Sequence, residues 1–196
     1  MSSVAKIYNE LILLMNIKYL ILILSQVLFS QTKLEQAVIK ELNFYRKKHG
    51  LVALTYDAKS SEMSRYHAVY MKKLNENEYS PLNLNADQIH DELIDLPNFT
   101  EMTFQERAIK VSPTITWMGE ICIQCMGRYS NVKDYPILAK EIIDSFHNSP
   151  GHREVMQTYF NPKNLDNIPI VSLSVLETND DSCSIVVNIN IGSKWK

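Results

Sequence analysis

Between Thr32 and Lys48 the apolar residues Leu34, Val38, Leu42 and Tyr45 recur at helical spacing, with Ala37 beside them and lysines and glutamates on the other side. The pattern predicts an amphipathic helix that ends at His49-Gly50, since glycine is favoured just past a helix C-terminus. Asp57 is placed to cap a second helix running to about Leu74, with Met63, Tyr66, His67, Tyr70 and Leu74 as its buried face. From Asn75 to Pro113 no periodicity is sustained, and Pro81, Pro97 and Pro113 fall among many Asn and Asp residues. Long loops are expected there, with a short helix over Thr103 to Ile109. Compact domains keep such loops mainly for function.

Thr114 to Gln124 suits a strand, and Pro136 to Asn148 suits a third helix with Pro136 in its first turn, broken by Ser149-Pro150-Gly151. Ile168 to Leu176 and Ser184 to Ile191 then alternate apolar residues. In the second run Ile185, Val187, Ile189 and Ile191 share one face against Val186, Asn188 and Asn190. Asn179-Asp180-Asp181 supplies the turn for an antiparallel hairpin. No repeat, low-complexity tract or linker interrupts the chain, so one α/β domain accounts for residues 31–196.

The first thirty residues follow another pattern. Leu11 to Leu14, Tyr19 to Leu24 and Val27 to Phe29 are apolar, interrupted by Asn16, Lys18, Ser25 and Gln26. If translation begins at Met15, then Asn16-Ile17-Lys18 is a short basic region, Tyr19 to Leu24 an apolar core, and Leu28-Phe29-Ser30 a cleavage site. Residues 1–30 therefore read as a signal peptide. The competing reading is a retained membrane anchor over Leu11 to Phe29, near the ~20 residues a spanning helix needs. Either puts the remainder outside the cytoplasm.

Composition is that of a globular protein: 196 residues, 45% hydrophobic and 21% charged, with a formal net charge of -2. Balanced charge supplies no basic field for nucleic acid, and that class of partner is set aside. Three cysteines, Cys122, Cys125 and Cys183, leave at most one disulfide in an exported protein. Cys122 and Cys125 have redox-motif spacing, but three apart on a strand they face opposite ways, so buried thiols are the expectation, with one able to bond Cys183.

Several motifs point to one family. Ser64 to Met71, reading S-R-Y-H-A-V-Y-M after Leu54-Thr55-Tyr56-Asp57, resembles the A-x-x-H-A-x-x-M helix of bacterial CAP domains, the group of cysteine-rich secretory proteins, antigen 5 and pathogenesis-related proteins. Met118-Gly119-Glu120-Ile121 is similar to their G-E-N-I strand. Phe146 to Met156, containing Ser149-Pro150-Gly151-His152-Arg153, is similar to their W-x-x-S-P-G-H-R signature, the most specific of the three. The resemblance runs from about Leu34 to Ile191. It implies a three-layer α-β-α sandwich with a small, largely antiparallel central sheet, and a cleft that gathers His90, Glu120 and His152.

Taken alone, His90 is a solvated loop histidine, His152 a surface residue after a helix break, and Glu120 a half-buried acid in need of a partner. Taken through the resemblance, they form one open site, whose two imidazoles and carboxylate suit zinc or another divalent cation. The sequence departs from the family at Ile121, Phe146 and Ser149, where relatives carry asparagine, tryptophan and, in animals and plants, a second cavity glutamate; the lost acid removes charge that would strengthen cation binding. His67 reads as a satisfied core histidine, Tyr66 and Tyr70 as core aromatics, and His147 carries no site signal. The leading functional expectation is an exported module, non-catalytic or weakly catalytic, that binds a small-molecule, lipid or protein ligand in its central cleft, with or without a divalent metal. The alternatives are a metal-assisted hydrolase with Glu120 as general base, for which no G-x-S-x-G or H-E-x-x-H motif is present, and a lipid or sterol carrier.

Overall fold

The computed structural model describes residues 31–76, 90, 92, 103–111, 113–126, 134–164, 166–177 and 185–195. Helix α1 (Lys33–Lys48) opens on a capping box in which Thr32 and Glu35 bond each other's backbone N–H groups. Gly50, at φ 69°, ends it in the left-handed conformation that glycine adopts without a Cβ penalty. After strand β1 (Thr55–Tyr56) comes α2 (Ser61–Glu76), one turn later than expected. Asp57 caps the turn before it, its Oδ2 accepting from the Ser60 N–H at 3.0 Å, and pairs with Lys194. There follow α3 (Phe104–Val111), β2 (Ile115–Met126), α4 (Tyr135–Asn148), α5 (Pro150–Met156), β3 (Asn167–Glu177) and β4 (Ile185–Trp195).

The four strands lie in the order β1-β3-β4-β2. The long strands pair antiparallel and β1 pairs parallel to β3, so the sheet is mixed. Helices α1 and α4 cover one face, α2 and α3 the other, as the α-β-α expectation required. The hairpin turn at Asn179-Asp180-Asp181, residues 1–30, the side chain of Cys125 and all of Cys183 lie outside the described residues.

The two sheet faces are built differently. Against α1 and α4, Ile121, Val171, Leu173, Val175, Ile185, Val187, Ile189 and Ile191 meet Leu34, Val38, Leu42, Ile142 and Phe146 in one hydrophobic cluster. Against α2 the cross-strand rows are Glu120, Asn190 and Ser172, then Cys122, Asn188 and Ser174, all buried. A polar row inside a domain requires hydrogen bonds to offset lost hydration. Asn190 Nδ2 donates to Asn188 Oδ1 at 2.7 Å and Ser64 Oγ at 2.8 Å, with Ser172 Oγ at 3.3 Å sharing the second hydrogen. One expected core residue is outside: Tyr66 is exposed and its hydroxyl bonds Glu62 one turn back. The buried stripe of α2 runs through Met63, His67, Tyr70, Met71 and Leu74, and residue 66 falls beyond its edge.

Candidate functional site

Glu120 sits where β2 passes under α2 and α3, buried at 8% relative exposure. Its oxygens are heavily engaged. Arg107 Nη2 from α3 donates to both, at 3.2 and 3.0 Å. Asn188 Nδ2 from β4 donates to Oε1 at 2.8 Å, and His90 Nδ1 bonds Oε2 at 3.0 Å. Arg107 Nη2 also donates to the His90 carbonyl at 2.9 Å, which ties the segment carrying that histidine to α3. Burial alone would raise the Glu120 carboxyl, but His67, His90, Arg107 and Asn188 together outweigh it and hold the group at about 2.

His67 projects from α2 onto the same cluster. Its Nδ1 bonds Glu92 Oε1 at 2.9 Å, its Nε2 lies 4.0 Å from Glu120 Oε2, and Tyr70 stacks on the ring. The core-histidine reading is therefore satisfied by Glu92. Cys122, two residues on from Glu120 along the same face of β2, carries a free buried thiol that accepts from Asn188 Nδ2 at 3.2 Å. Burial, then the neighbouring carboxylate, push that thiol well above its ordinary value. His67, Glu120 and Cys122 place one ligand atom each within 4.8 Å of one another, a group that could hold a metal.

His152 approaches from the opposite side, on α5. A Cβ at Gly119 would stand 2.8 Å from Val155 Cγ2, so glycine before Glu120 is what lets α5 close on β2. Arg46, buried in α1, fastens the other end of that helix through Nη1 to the Met156 carbonyl at 2.7 Å and Nη2 to the Thr158 carbonyl at 3.0 Å. The His152 ring meets Phe146 edge-on, centroids 5.2 Å apart. Burial first, then the His90 charge, lower its proton affinity, so it is neutral near pH 7. Of the three residues singled out, His90 and Glu120 are thus bonded to each other, while the contact of His152 is with Phe146. His147 lies elsewhere, its Nδ1 against the Tyr45 hydroxyl at 3.1 Å.

An open cleft of about 610 Å³ borders this cluster, with His90 and Glu120 in its wall beside Phe104, Ile109, Trp117, Met118 and Val155. Sequence reasoning had not placed Arg107, Asn188, Glu92 or Cys122 at the site. The legible signal was the pair Asn188 and Asn190 inside an otherwise apolar strand, since a buried amide needs partners.

Residues 39–157 match the family model of the cysteine-rich secretory protein family, CAP. The chain is a CAP-family protein. The matched span contains the helix with His67, the Gly119-Glu120 strand and the Ser149 to Arg153 turn. An outer surface protein from Borrelia burgdorferi shares the fold of this chain, with a TM-score of 0.54 at 17% sequence identity over 85% of this chain and 96% of its own. No curated protein matches the sequence.

Proposed function

We propose that this CAP protein is exported and takes up, in the cleft beside His90, a ligand with an apolar body and one polar group, which it binds without hydrolysing. The observation that carries the reading is the make-up of the cleft. Apolar and aromatic side chains form most of its wall, His90 offers a polar contact, and about 610 Å³ lies within the roughly 300–1,000 Å³ typical of small-molecule sites. Export is supported by membership of a secretory family, by the apolar segment before Gln31, and by a fold shared with an outer surface protein. Among the described residues no helix is long and apolar enough to cross a membrane.

The hydrolase alternative requires Glu120 to accept a proton from water. A general base works best with a pKa near the working pH, and a carboxylate at about 2 whose oxygens accept from Arg107, Asn188 and His90 is far from that. A divalent ion at the cleft would be held by His90 and His152, with Glu120 orienting the His90 ring instead of ligating. The donor chemistry fits, because His152 is neutral near pH 7 and Glu120 fixes one His90 nitrogen. Bound there, an ion would polarise a ligand oxygen.

The test is a titration of the purified protein with a fluorescent fatty acid, with a p-nitrophenyl ester assayed in parallel. Saturable binding that quenches Trp117 and is weakened at least about tenfold by Met118→Asp is expected, without ester turnover. Ester turnover abolished by Glu120→Gln would establish the hydrolase instead.

A further inference from the structure

Strand β2 breaks its own alternation beside the cleft. Trp117 pairs with Gly192 and Gly119 with Ile191, which leaves Met118 as an inserted residue without a partner on β4, a β-bulge. Residues three apart on a regular strand face opposite ways, yet Trp117 and Glu120 both lie on the face under α2 and α3. The Trp117 ring covers Gly192, where a Cβ would stand 2.9 Å from Trp117 Cε3, and it meets Phe104 of α3 edge-on. Met118 is left at the rim, 53% exposed. Bulges commonly re-aim side chains in this way next to binding sites.

Met118 and Val155 also line a second cleft, of about 710 Å³, with Pro150, Arg153, Glu154, Gln157 and Thr158 as its other walls. The two clefts meet at the bulge but belong to opposite faces of the sheet. Phe104 and Ile109 of α3 wall the first; α5 and the two residues after it wall the second, on the face that Gly119 shares with Ile121. Their chemistry differs as well. The first is mostly apolar, whereas the second offers a cation. Thr158 Oγ1 donates to the Val155 carbonyl and Gln157 Nε2 to the Tyr45 hydroxyl, each at 2.8 Å. Arg153 donates through Nη1 to the His147 carbonyl at 2.9 Å, which holds the half-buried guanidinium in place; the rest of its fork has no other partner among the described residues. Glu154 is exposed, so water screens its charge. Strand β2 ends the sheet, and among the described residues no strand pairs with its other side.

We propose that the outer edge of β2, at the Met118 bulge, takes up an extended peptide as an added strand, with a large apolar side chain in the cleft beside His90 and a neighbouring acidic side chain on Arg153. This rests on the reading of that cleft as a ligand site and names the class of ligand. Successive side chains of a strand point to opposite faces, which is how the two clefts are disposed about the edge. An edge strand supplies main-chain groups for affinity, and the flanking clefts supply specificity. A carboxylate matches the open fork of a guanidinium that is already held. A fatty acid, with one apolar chain and one head group, gives no reason for clefts of opposite character on the two faces.

The probe is a fluorescein-labelled six-residue peptide with blocked ends, in which threonine and valine flank a central Phe-Glu pair, titrated into the full chain by anisotropy. Binding should saturate at one equivalent and slow hydrogen exchange at the amides of Trp117 to Gly119. A Phe-Lys probe should bind at least about tenfold more weakly, the effect of one charge-assisted hydrogen bond. A Phe-Glu probe N-methylated at its flanking amides, which cannot pair as a strand, should not bind. The unaltered chain should prefer Phe-Glu to Phe-Gln, and Arg153→Gln should bind the two equally. If Arg153→Gln fails to fold, the probes compared on the unaltered chain decide the matter. Undiminished binding of the N-methylated probe, or no preference for Phe-Glu over Phe-Lys, would overturn the added strand. A fluorescent fatty acid that binds where every peptide fails would overturn it too, leaving the ligand reading of the cleft standing; a chain that binds neither loses both.

Discussion

Glu120 is a carboxylate removed from water and kept charged by its neighbours. Transfer into the interior disfavours the ionised form, and here the imidazole, guanidinium and amide donors more than compensate, taking the group from 4.5 to about 2. A carboxyl depressed in the fold adds stability that is present above its unfolded value and lost as pH falls through its folded one. The window is therefore pH 4.5 down to about 2, and the contribution is on the order of 3 kcal/mol. Urea unfolding across that window should show the loss, and Glu120→Gln should flatten it. A variant with the same acid dependence as the unaltered protein would show that other carboxyls carry it. Arg107 and Asn188 come from α3 and β4, and His90 lies thirty residues before Glu120, so no local pattern around Glu120 announced them; only the fold brings them together.

At the scale of elements, the sequence was most informative where periodicity is strong. The stripe of α1, the alternation of β4 and the proline-initiated α4 are all legible because side-chain direction follows backbone period. Strand β1 was not, because a pair of residues held by a parallel neighbour has no period of its own. Nor was the function of Gly119 as a point of close approach, which depends on Val155 on a separate helix. Gly119→Ala should push α5 off β2 at a cost of about 1–3 kcal/mol, as overpacking usually does. Val155→Ala should recover much of that loss in the double variant, measured by a double-mutant cycle. Additive losses would mean that the two positions do not meet. Phe146 is fully buried between α4 and the sheet, in ring contact with His152. Phe146→Ala should cost about 3–5 kcal/mol in chemical denaturation, a large part of the ~5–15 kcal/mol of a whole domain. An unchanged midpoint would refute its place in the core.

Across the whole molecule, the sheet separates two kinds of interior: a hydrophobic one under α1 and α4 that supplies burial energy, and a hydrogen-bonded one under α2 that holds the site. The apolar half begins at the first turn of α1, which Thr32 and Glu35 anchor. The Thr32 N–H donates to Glu35 Oε2 at 2.8 Å, the Glu35 N–H donates back to Thr32 Oγ1 at 3.1 Å, and Glu35 Oε1 accepts from the Val175 N–H on β3 at 3.2 Å. The capping box thus joins the helix start to the sheet. Residues 32–196 also form one compact unit by their own contacts. The fragment Gln31–Lys196 should accordingly unfold in a single cooperative transition by calorimetry, with equal calorimetric and van't Hoff enthalpies. Within it, Thr32→Ala should lower stability by about 1 kcal/mol, the usual cost of a lost helix cap. A fragment that stays soluble yet melts without cooperativity would show that the preceding thirty residues are needed to complete the core.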